Sequence, residues 1–217
     1  MNKTNMVYRH VAEKALANRK ARLVVRGVAK ELGISPDTVS NAIAPLKRIG
    51  AVSMYSRHFE VVAFKKLLVF WAVNRRFERD IAYSTYVPIK SAEELENYMP
   101  DEIAFTNFSG YCKNFTNNAA DYGEVYVYAG EGSMAEIKKR FPKSTDSPRG
   151  GRYNNLTVLR PDRVLEEKIE NHTITNSSVS LPQLYADLWN NGSWMAYEFI
   201  KRLEEKIDGL YEKAILE

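Results

Sequence analysis

The sequence is poor in cysteine and in long apolar runs. Cys112 is its one cysteine, which excludes an internal disulfide and a metal site built from four cysteines, and which is typical of a reducing compartment. The longest strongly apolar run covers residues 67–73, far too short to span a bilayer, and the first ten residues hold no apolar signal core. We therefore expect a soluble, cytoplasmic protein without membrane contact.

Acidic residues are scarce in the first third of the chain. Residues 1–76 hold 15 Lys and Arg against 4 Asp and Glu, a net charge of +11, whereas residues 77–217 hold 16 against 23, a net charge of −7. With 217 residues and 45% apolar content, the chain can bury a core in one or two domains. A basic first third indicates contact with a polyanion. The alternative is a solvated basic surface, so the residue pattern has to decide.

A helix–turn–helix pattern occupies the start of the chain. Residues 6–19 have the apolar period of an amphipathic helix, residues 22–25 predict a short strand, and a second helix ends at Gly33, a typical C-cap. Ser35 can then cap a third helix by accepting a free amide proton of its first turn. Pro36 suits the next position, because the proton that it lacks would go unpaired there.

The third helix has an apolar and a polar face. Its predicted buried residues follow the helical period and are Val39, Ala42, Ile43, Leu46 and Ile49. In a DNA-binding helix–turn–helix this helix enters the major groove, where Asn41, Thr38 and Ser40 could read base edges. Lys47 and Arg48 lie further along and would hold phosphate. Pro45 departs from the pattern and predicts a bend or a restart of the helix.

Two short alternating segments follow the third helix. Residues 51–54 and 58–62 predict a hairpin around Tyr55 and Arg57, in the position of the wing of a winged helix-turn-helix. Arg57 at its tip would reach the minor groove or the backbone. The predicted DNA-binding residues are therefore Lys30, Ser35, Thr38, Ser40, Asn41, Lys47, Arg48, Tyr55 and Arg57. A winged helix used for protein contacts is the alternative interpretation.

The fold class predicted from these patterns is α+β. Residues 1–76 would form the winged helix-turn-helix domain with a linker helix at 64–76. That helix is bracketed by the pairs Lys65–Lys66 and Arg75–Arg76, which either extend the DNA footprint or are solvated ends. Residues 77–217 would form a mixed α/β domain. In that domain we predict strands at 81–87, 124–129 and 156–160 and helices at 91–98, 133–141, 181–188 and 195–215. Residues 142–155 predict a surface loop, whose Arg149 and Arg152 either touch phosphate or are mobile.

Residues 180–188 (SLPQLYADL), followed by Gly192, Ala196 and Phe199, resemble the C-terminal segment of AbiEi-type regulators. These are the antitoxins of type IV toxin–antitoxin systems and their relatives. Residues 105–109 also resemble a family segment, although the family usually has glycine where Asn107 stands. The resemblance is strongest over residues 125–205. It implies an N-terminal winged helix joined to an α/β domain, and a repressor of its own operon that is usually encoded beside a nucleotidyltransferase-like toxin.

Catalytic patterns are weak. The histidines His10, His58 and His172 are not spaced as a metal pair, and Cys112 has no sequence-adjacent partner, so we expect an inert buried thiol. A Gly-Ser at residues 132–133, opening a helix, begins a nucleotidyltransferase signature. That signature also needs two aspartates around one apolar residue to hold magnesium, and downstream Asp146 stands alone. We predict no catalytic residue, no metal site and no cofactor.

The sequence thus predicts a DNA-binding transcription regulator that binds duplex DNA and represses its own operon, in the manner of AbiEi antitoxins, and that is not an enzyme. Two alternatives remain open: a one-component regulator whose C-terminal domain senses a small ligand, and a protein-interaction antitoxin module. A nucleotidyltransferase-like toxin is a possible partner, and the pattern predicts no oligomeric state.

Overall fold

A computed structural model of the chain describes residues 3–115, 119–143 and 154–213, with side chains up to residue 209. The chain divides into two compact units. The first comprises Met1–Arg75, Ser180–Asn190 and Ile200–Glu217, and the second comprises Arg76–Val179 and Asn191–Phe199. Both helices and strands are present, which confirms the predicted α+β class. Arg149, Arg152 and Asp146 lie outside the described residues.

The elements in chain order are α1 (Lys3–Ala17), α2 (Val25–Leu32), α3 (Pro36–Arg48), β1 (Val52–Met54), β2 (Phe59–Val61), α4 (Phe64–Asn74), β3 (Ile81–Thr85), α5 (Ala92–Asn97), β4 (Ile103–Thr106), α6 (Asn107–Asn114), β5 (Val125–Ala129), α7 (Glu131–Arg140), β6 (Leu156–Leu159), α8 (Arg163–Glu170), α9 (Leu181–Trp189) and α10 (Trp194–Lys213).

The first unit is a helical core with a hairpin at one side. Helix α1 packs against α3, α4 and α9, because its apolar residues recur with the helical period and meet the apolar stripes of those helices. The largest fully buried side chains in this core are Leu32, Ile43, Leu46, Phe59, Leu67, Trp71 and Tyr185. The strand predicted at 22–25 is reduced to a bridge between Leu23 and Phe59, because α2 already begins at Val25.

A buried ion pair holds α9 in the first unit. Arg75, directly after α4, lies with its Nε 2.7 Å from Oδ1 of Asp187, and both side chains are fully buried. Gln183 donates to the same oxygen at 2.9 Å, and Asn190 donates to the backbone oxygen of Ala72 at 3.0 Å. The predicted range 77–217 grouped α9 with the second half of the chain. The compact units differ from that range because these contacts bring α9 back to α4.

The second unit is built on a four-stranded sheet in the order β3-β6-β5-β4. The central pair β5–β6 is parallel, in register from Val125 with Leu156, and the outer strands are antiparallel to their neighbours. The core of the unit contains residues from all four strands and from α5 and α7, among them Tyr83, Leu95, Phe105, Val127, Ile137 and Val158.

Several elements of the second unit differ from the prediction. Strand β4 and helices α6 and α8 were not predicted. Helix α7 begins at Glu131 with Gly130 as its N-cap, so Ser133 is a buried residue of its first turn rather than its cap. Asn107, which joins β4 directly to α6, has a left-handed φ of 51°. Glycine adopts that conformation most easily, and asparagine is one of the few other residues that adopt it.

Candidate nucleic-acid interface

The turn between α2 and α3 is held by caps at both sides. Gly33 has a φ of 60°, and the backbone amides of Gly33 and Ile34 donate to Lys30 and Ala29 of α2. Ser35 Oγ accepts from the backbone amide of Thr38 at 3.2 Å, as predicted for the N-cap of α3. This turn determines how α3 follows α2.

Two of the predicted DNA-binding residues are engaged in that cap. The hydroxyl oxygens of Ser35 and Thr38 lie 2.8 Å apart, within hydrogen-bond distance, and Thr38 is half-buried. The hydroxyl that donates this bond has no second proton for a base edge, and the Ser35 hydroxyl also accepts from the Thr38 amide, so both side chains are engaged in holding the cap. The geometry therefore favours a structural role for both residues and leaves base reading to side chains further along α3.

The outer face of α3 is a single polar stripe. Its exposed residues are Asp37, Ser40, Asn41, Ala44, Lys47 and Arg48, which recur three or four positions apart and so lie on one side of the helix. The opposite side, Val39, Ala42, Ile43 and Leu46, is buried, as predicted, whereas Ile49, also predicted to be buried, is exposed because α3 ends at Arg48. Asp37 is not among the predicted DNA-binding residues. Its carboxylate can accept a hydrogen bond from cytosine in the major groove, but it repels phosphate.

Helix α3 runs through Pro45 and continues to Arg48, so the predicted restart is wrong. At its C-terminal end, Lys66 Nζ donates to the backbone oxygen of Ile49 at 3.3 Å. Lys47 and Arg48 occupy the last turn, where cations also compensate the negative end of the helix dipole. The cationic side chains of Lys47, Arg48 and Lys66 therefore lie at the C-terminal end of α3, where the hairpin begins.

The hairpin has the two predicted strands, with β1 one residue shorter at its start and β2 one residue shorter at each end. Strands β1 and β2 pair antiparallel, with Val52 opposite Val61 and Met54 opposite Phe59. At the tip, the ring of Tyr55 stacks on that of His58, with centroids 4.7 Å apart and ring planes 10° from parallel. Tyr55 and Arg57 are exposed, which leaves both predicted tip residues accessible.

Three further residues of this region were not predicted as site residues. His58 Nε2 lies 3.0 Å from Oε1 of Glu60, and Arg22 Nε lies 3.4 Å from the same oxygen. Arg22 and Glu60 are far apart in the sequence, and the bridge between Leu23 and Phe59 brings them together. The only signal in the sequence was the short apolar segment around Leu23, which predicted a strand but not its partner.

Not all basic residues of the first unit are available to an anion. Arg75 is buried against Asp187, so the pair Arg75–Arg76 does not extend a DNA footprint as a unit. Lys65 pairs with Glu204 at 2.9 Å, and the hydrogen bond to Glu204 raises the pKa of Lys65. Lys30 lies exposed in the last turn of α2. With Arg26 of α2, the cations of α3, the hairpin tip and Arg22, it is among the exposed basic groups near the helix–turn–helix.

Cys112 lies in a network of polar side chains in the second unit. Among the described residues, no three His, Cys, Asp or Glu side chains are grouped as metal ligands. Cys112 is half-buried, and burial raises the pKa of its thiol. Beside it, Tyr122 donates to Glu96 at 2.7 Å, and Lys113 lies 3.0 Å from the other Glu96 oxygen. Tyr122 and Lys113 thus hold Glu96 in a structural network.

The second unit also has a cleft of about 430 Å³. It is lined by Ile89, Lys90, Ser91, Ala92, Glu93, Asp121, Tyr122, Gly123 and Asn155. Two of its polar groups are already occupied, because Ser91 caps α5 and Asn155 forms two hydrogen bonds with the backbone of Val87. Lys90, Glu93 and Asp121 supply charges of both signs.

The fold defines an α+β protein, in whose first unit the helices α1, α2 and α3 are followed by an antiparallel hairpin, in the predicted order. The chain matches no protein-family model, no curated protein and no solved structure. Within the described part of the chain, no helix is both long enough and apolar enough to cross a membrane.

Proposed function

We propose that this chain is a DNA-binding transcription regulator with a winged helix-turn-helix in its first unit, and that it is not an enzyme. The observation that carries the proposal is the exposed polar stripe of α3 beside a hairpin with an exposed basic tip. A capped helix of 13 residues with one polar face has the size and chemistry to occupy a major groove. The net charge of +11 over residues 1–76 supplies attraction to the DNA backbone.

The residues of the interface have different roles in this proposal. Asn41 and Ser40 read base edges, because their donors and acceptors are exposed near the middle of the stripe. Lys47, Arg48 and Arg57 contact phosphate, since they lie at the end of α3 and at the hairpin tip. Ser35 and Thr38 hold the first turn of α3, and Tyr55 packs on the DNA backbone.

Two substitutions separate these roles. Asn41→Ala should reduce the preference for the native site over unrelated duplex by about 1–3 kcal/mol, because a bidentate base contact is lost. Arg57→Ala should weaken binding to all sequences alike and lower the salt slope by about one unit. Fluorescence anisotropy on the two duplexes across a salt series measures both effects.

The matched controls are Asn97→Ala and Arg202→Ala, exposed residues of the same types outside the proposed interface. Both should bind like the parent. If Asn41→Ala and Arg57→Ala also bound like the parent, the assignment of the interface would be wrong.

We further propose that the regulated promoter is that of its own operon, as the resemblance to AbiEi antitoxins implies, with a nucleotidyltransferase-like toxin as a partner. A contact surface for a partner protein is offered by an apolar groove of about 610 Å³ along α4, lined by Ile49, Lys65, Lys66, Val69, Phe70, Val73 and Asn74. Co-purification with the product of the neighbouring gene tests this, and Val73→Glu should abolish the complex if the groove is used.

The second candidate function is that of a one-component regulator that senses a small ligand. The cleft of about 430 Å³ in the second unit favours it, because its volume lies within the range of small-molecule sites. A thermal-shift screen of metabolites against the parent and Asp121→Asn tests this. A ligand that stabilises the parent alone would support sensing at the cleft.

A further inference from the structure

A continuous row of contacts runs along one side of the hairpin. Tyr55 stacks on His58, His58 bonds Glu60, and Glu60 bonds Arg22. We call these four residues the wing row. His58 and Glu60 share it because residues two apart on a strand point to the same side. Arg22 joins it because its neighbour Leu23 bridges to Phe59, the residue between His58 and Glu60.

Arg22 is the exposed cation of the wing row. Its contact with Glu60 is made through Nε, while 75% of its side chain is exposed to solvent. A guanidinium oriented through Nε can present its two terminal nitrogens to an anion, and its planar fork matches phosphate geometry. The side chain thus combines a defined orientation with access to a ligand.

Direct contact with a polyanion does not explain Glu60, because its side chain is negatively charged. A carboxylate beside phosphate is repulsive, and the surface pair that it forms with Arg22 contributes little to stability. One of its two carboxylate oxygens, Oε1, contacts both Arg22 and His58 and therefore ties the guanidinium to the hairpin. Orientation of Arg22 is the role that this geometry gives to Glu60.

We propose that Arg22 contacts a phosphate of duplex DNA and that Glu60 is the positioning residue that holds its guanidinium. This inference rests on the proposed DNA-binding function and extends the interface beyond α3 and the hairpin tip. Arg22 lies outside the groove-entering helix, so its contact fixes the register of the protein on the backbone and carries no sequence preference.

The experiment compares Arg22→Ala, Glu60→Gln and the double variant by fluorescence anisotropy, on the upstream duplex and on a shuffled duplex, from low to high salt. Arg22→Ala should weaken binding to both duplexes by roughly three- to tenfold and lower the salt slope by about 0.9, the value for one phosphate contact. Arg22 is mostly exposed, so its replacement leaves the core intact.

Glu60→Gln distinguishes a role of Glu60 in positioning Arg22 from a direct effect of its negative charge on DNA binding. Removal of a negative charge near DNA strengthens binding if charge alone matters, whereas loss of the anchor of Arg22 weakens it. We expect weaker binding by Glu60→Gln in the parent background, and no weakening when it is added to Arg22→Ala. The controls are Arg202→Ala and Glu205→Gln on α10, both exposed, which should leave binding close to that of the parent.

Each contrary result has a separate meaning. Parent-like binding by Arg22→Ala would overturn the phosphate contact, as would a loss confined to the native sequence. Stronger binding by Glu60→Gln would overturn the positioning role. If the parent itself did not bind duplex DNA, the proposed function would fail first and this inference with it. Binding by the parent with no effect of Arg22→Ala would remove this inference alone.

Discussion

The buried pair between Arg75 and Asp187 yields the sharpest prediction about stability. Their side chains are fully buried and 2.7 Å apart, and they join the end of α4 to α9 across 112 residues of sequence. Asp187→Ala leaves the guanidinium of Arg75 buried without its counter-charge, which costs about 3–5 kcal/mol. The free energy of unfolding of a native domain is roughly 5–15 kcal/mol in total, so the loss is a large fraction of it. For a protein of this size it corresponds to a fall in Tm of roughly 6–20 °C.

Urea and thermal unfolding followed by tryptophan fluorescence measure this, because Trp71 on α4 is fully buried in the same unit. Glu136→Ala is the control, since it removes an exposed pair with Arg140 and should cost less than about 1 kcal/mol. The double variant Arg75→Met with Asp187→Leu should recover most of the stability, because no buried charge remains. A change below about 1 kcal/mol for Asp187→Ala would refute the reasoning.

Two further predictions concern the second unit. Asn107→Gly should equal or exceed the parent in stability, whereas Asn107→Ala should be less stable than Asn107→Gly by about 1–2 kcal/mol. The reason is that the φ of 51° strains any residue with a Cβ. Equal melting temperatures of the two variants would contradict this. Cys112 should react with a thiol reagent at neutral pH at least about tenfold more slowly in the folded protein than in the unfolded chain, because burial raises the pKa of its thiol and the thiolate is the reacting form. A raised pKa means that the folded state holds this proton more tightly, so the contribution of the thiol to stability falls as the pH rises above the ordinary range of a thiol. Equal reaction rates of the folded protein and the unfolded chain would contradict the burial argument.

The helix–turn–helix elements were predictable because their signals are local. Gly33 adopts the left-handed conformation that its C-cap position requires, and Ser35 and Pro36 take the first positions of α3. The apolar period over residues 39–46 matched the buried face. The assignment of this arrangement to the winged-helix class, and of the chain to a family, stays a prediction.

The missed elements lack local signals. Strand β4 is buried at all four positions, so it has no alternation of apolar and polar residues, and it continues into α6 without a loop. Asn107 makes that sharp junction through its backbone conformation, which the sequence does not display. Helix α8 is capped by Asp162, a signal that was present but was not used.

The contacts that decide the site are nonlocal. The engagement of Thr38 with Ser35 depends on rotamers within the cap, and the pairing of Arg22 with Glu60 depends on a bridge between distant segments. The motif at residues 180–188 suggested a family but not its place in the fold. Its polar members Gln183 and Asp187 form the buried network with Arg75, which links this motif to α4.

The central claim is sequence-specific recognition of duplex DNA by the first unit. Fluorescence anisotropy of the full chain on its own upstream DNA, with unrelated duplex as competitor and across a salt series, tests it most directly. We expect tight binding that survives the competitor and weakens steeply with salt. Equal affinity for both duplexes, or no binding at low salt, would contradict it.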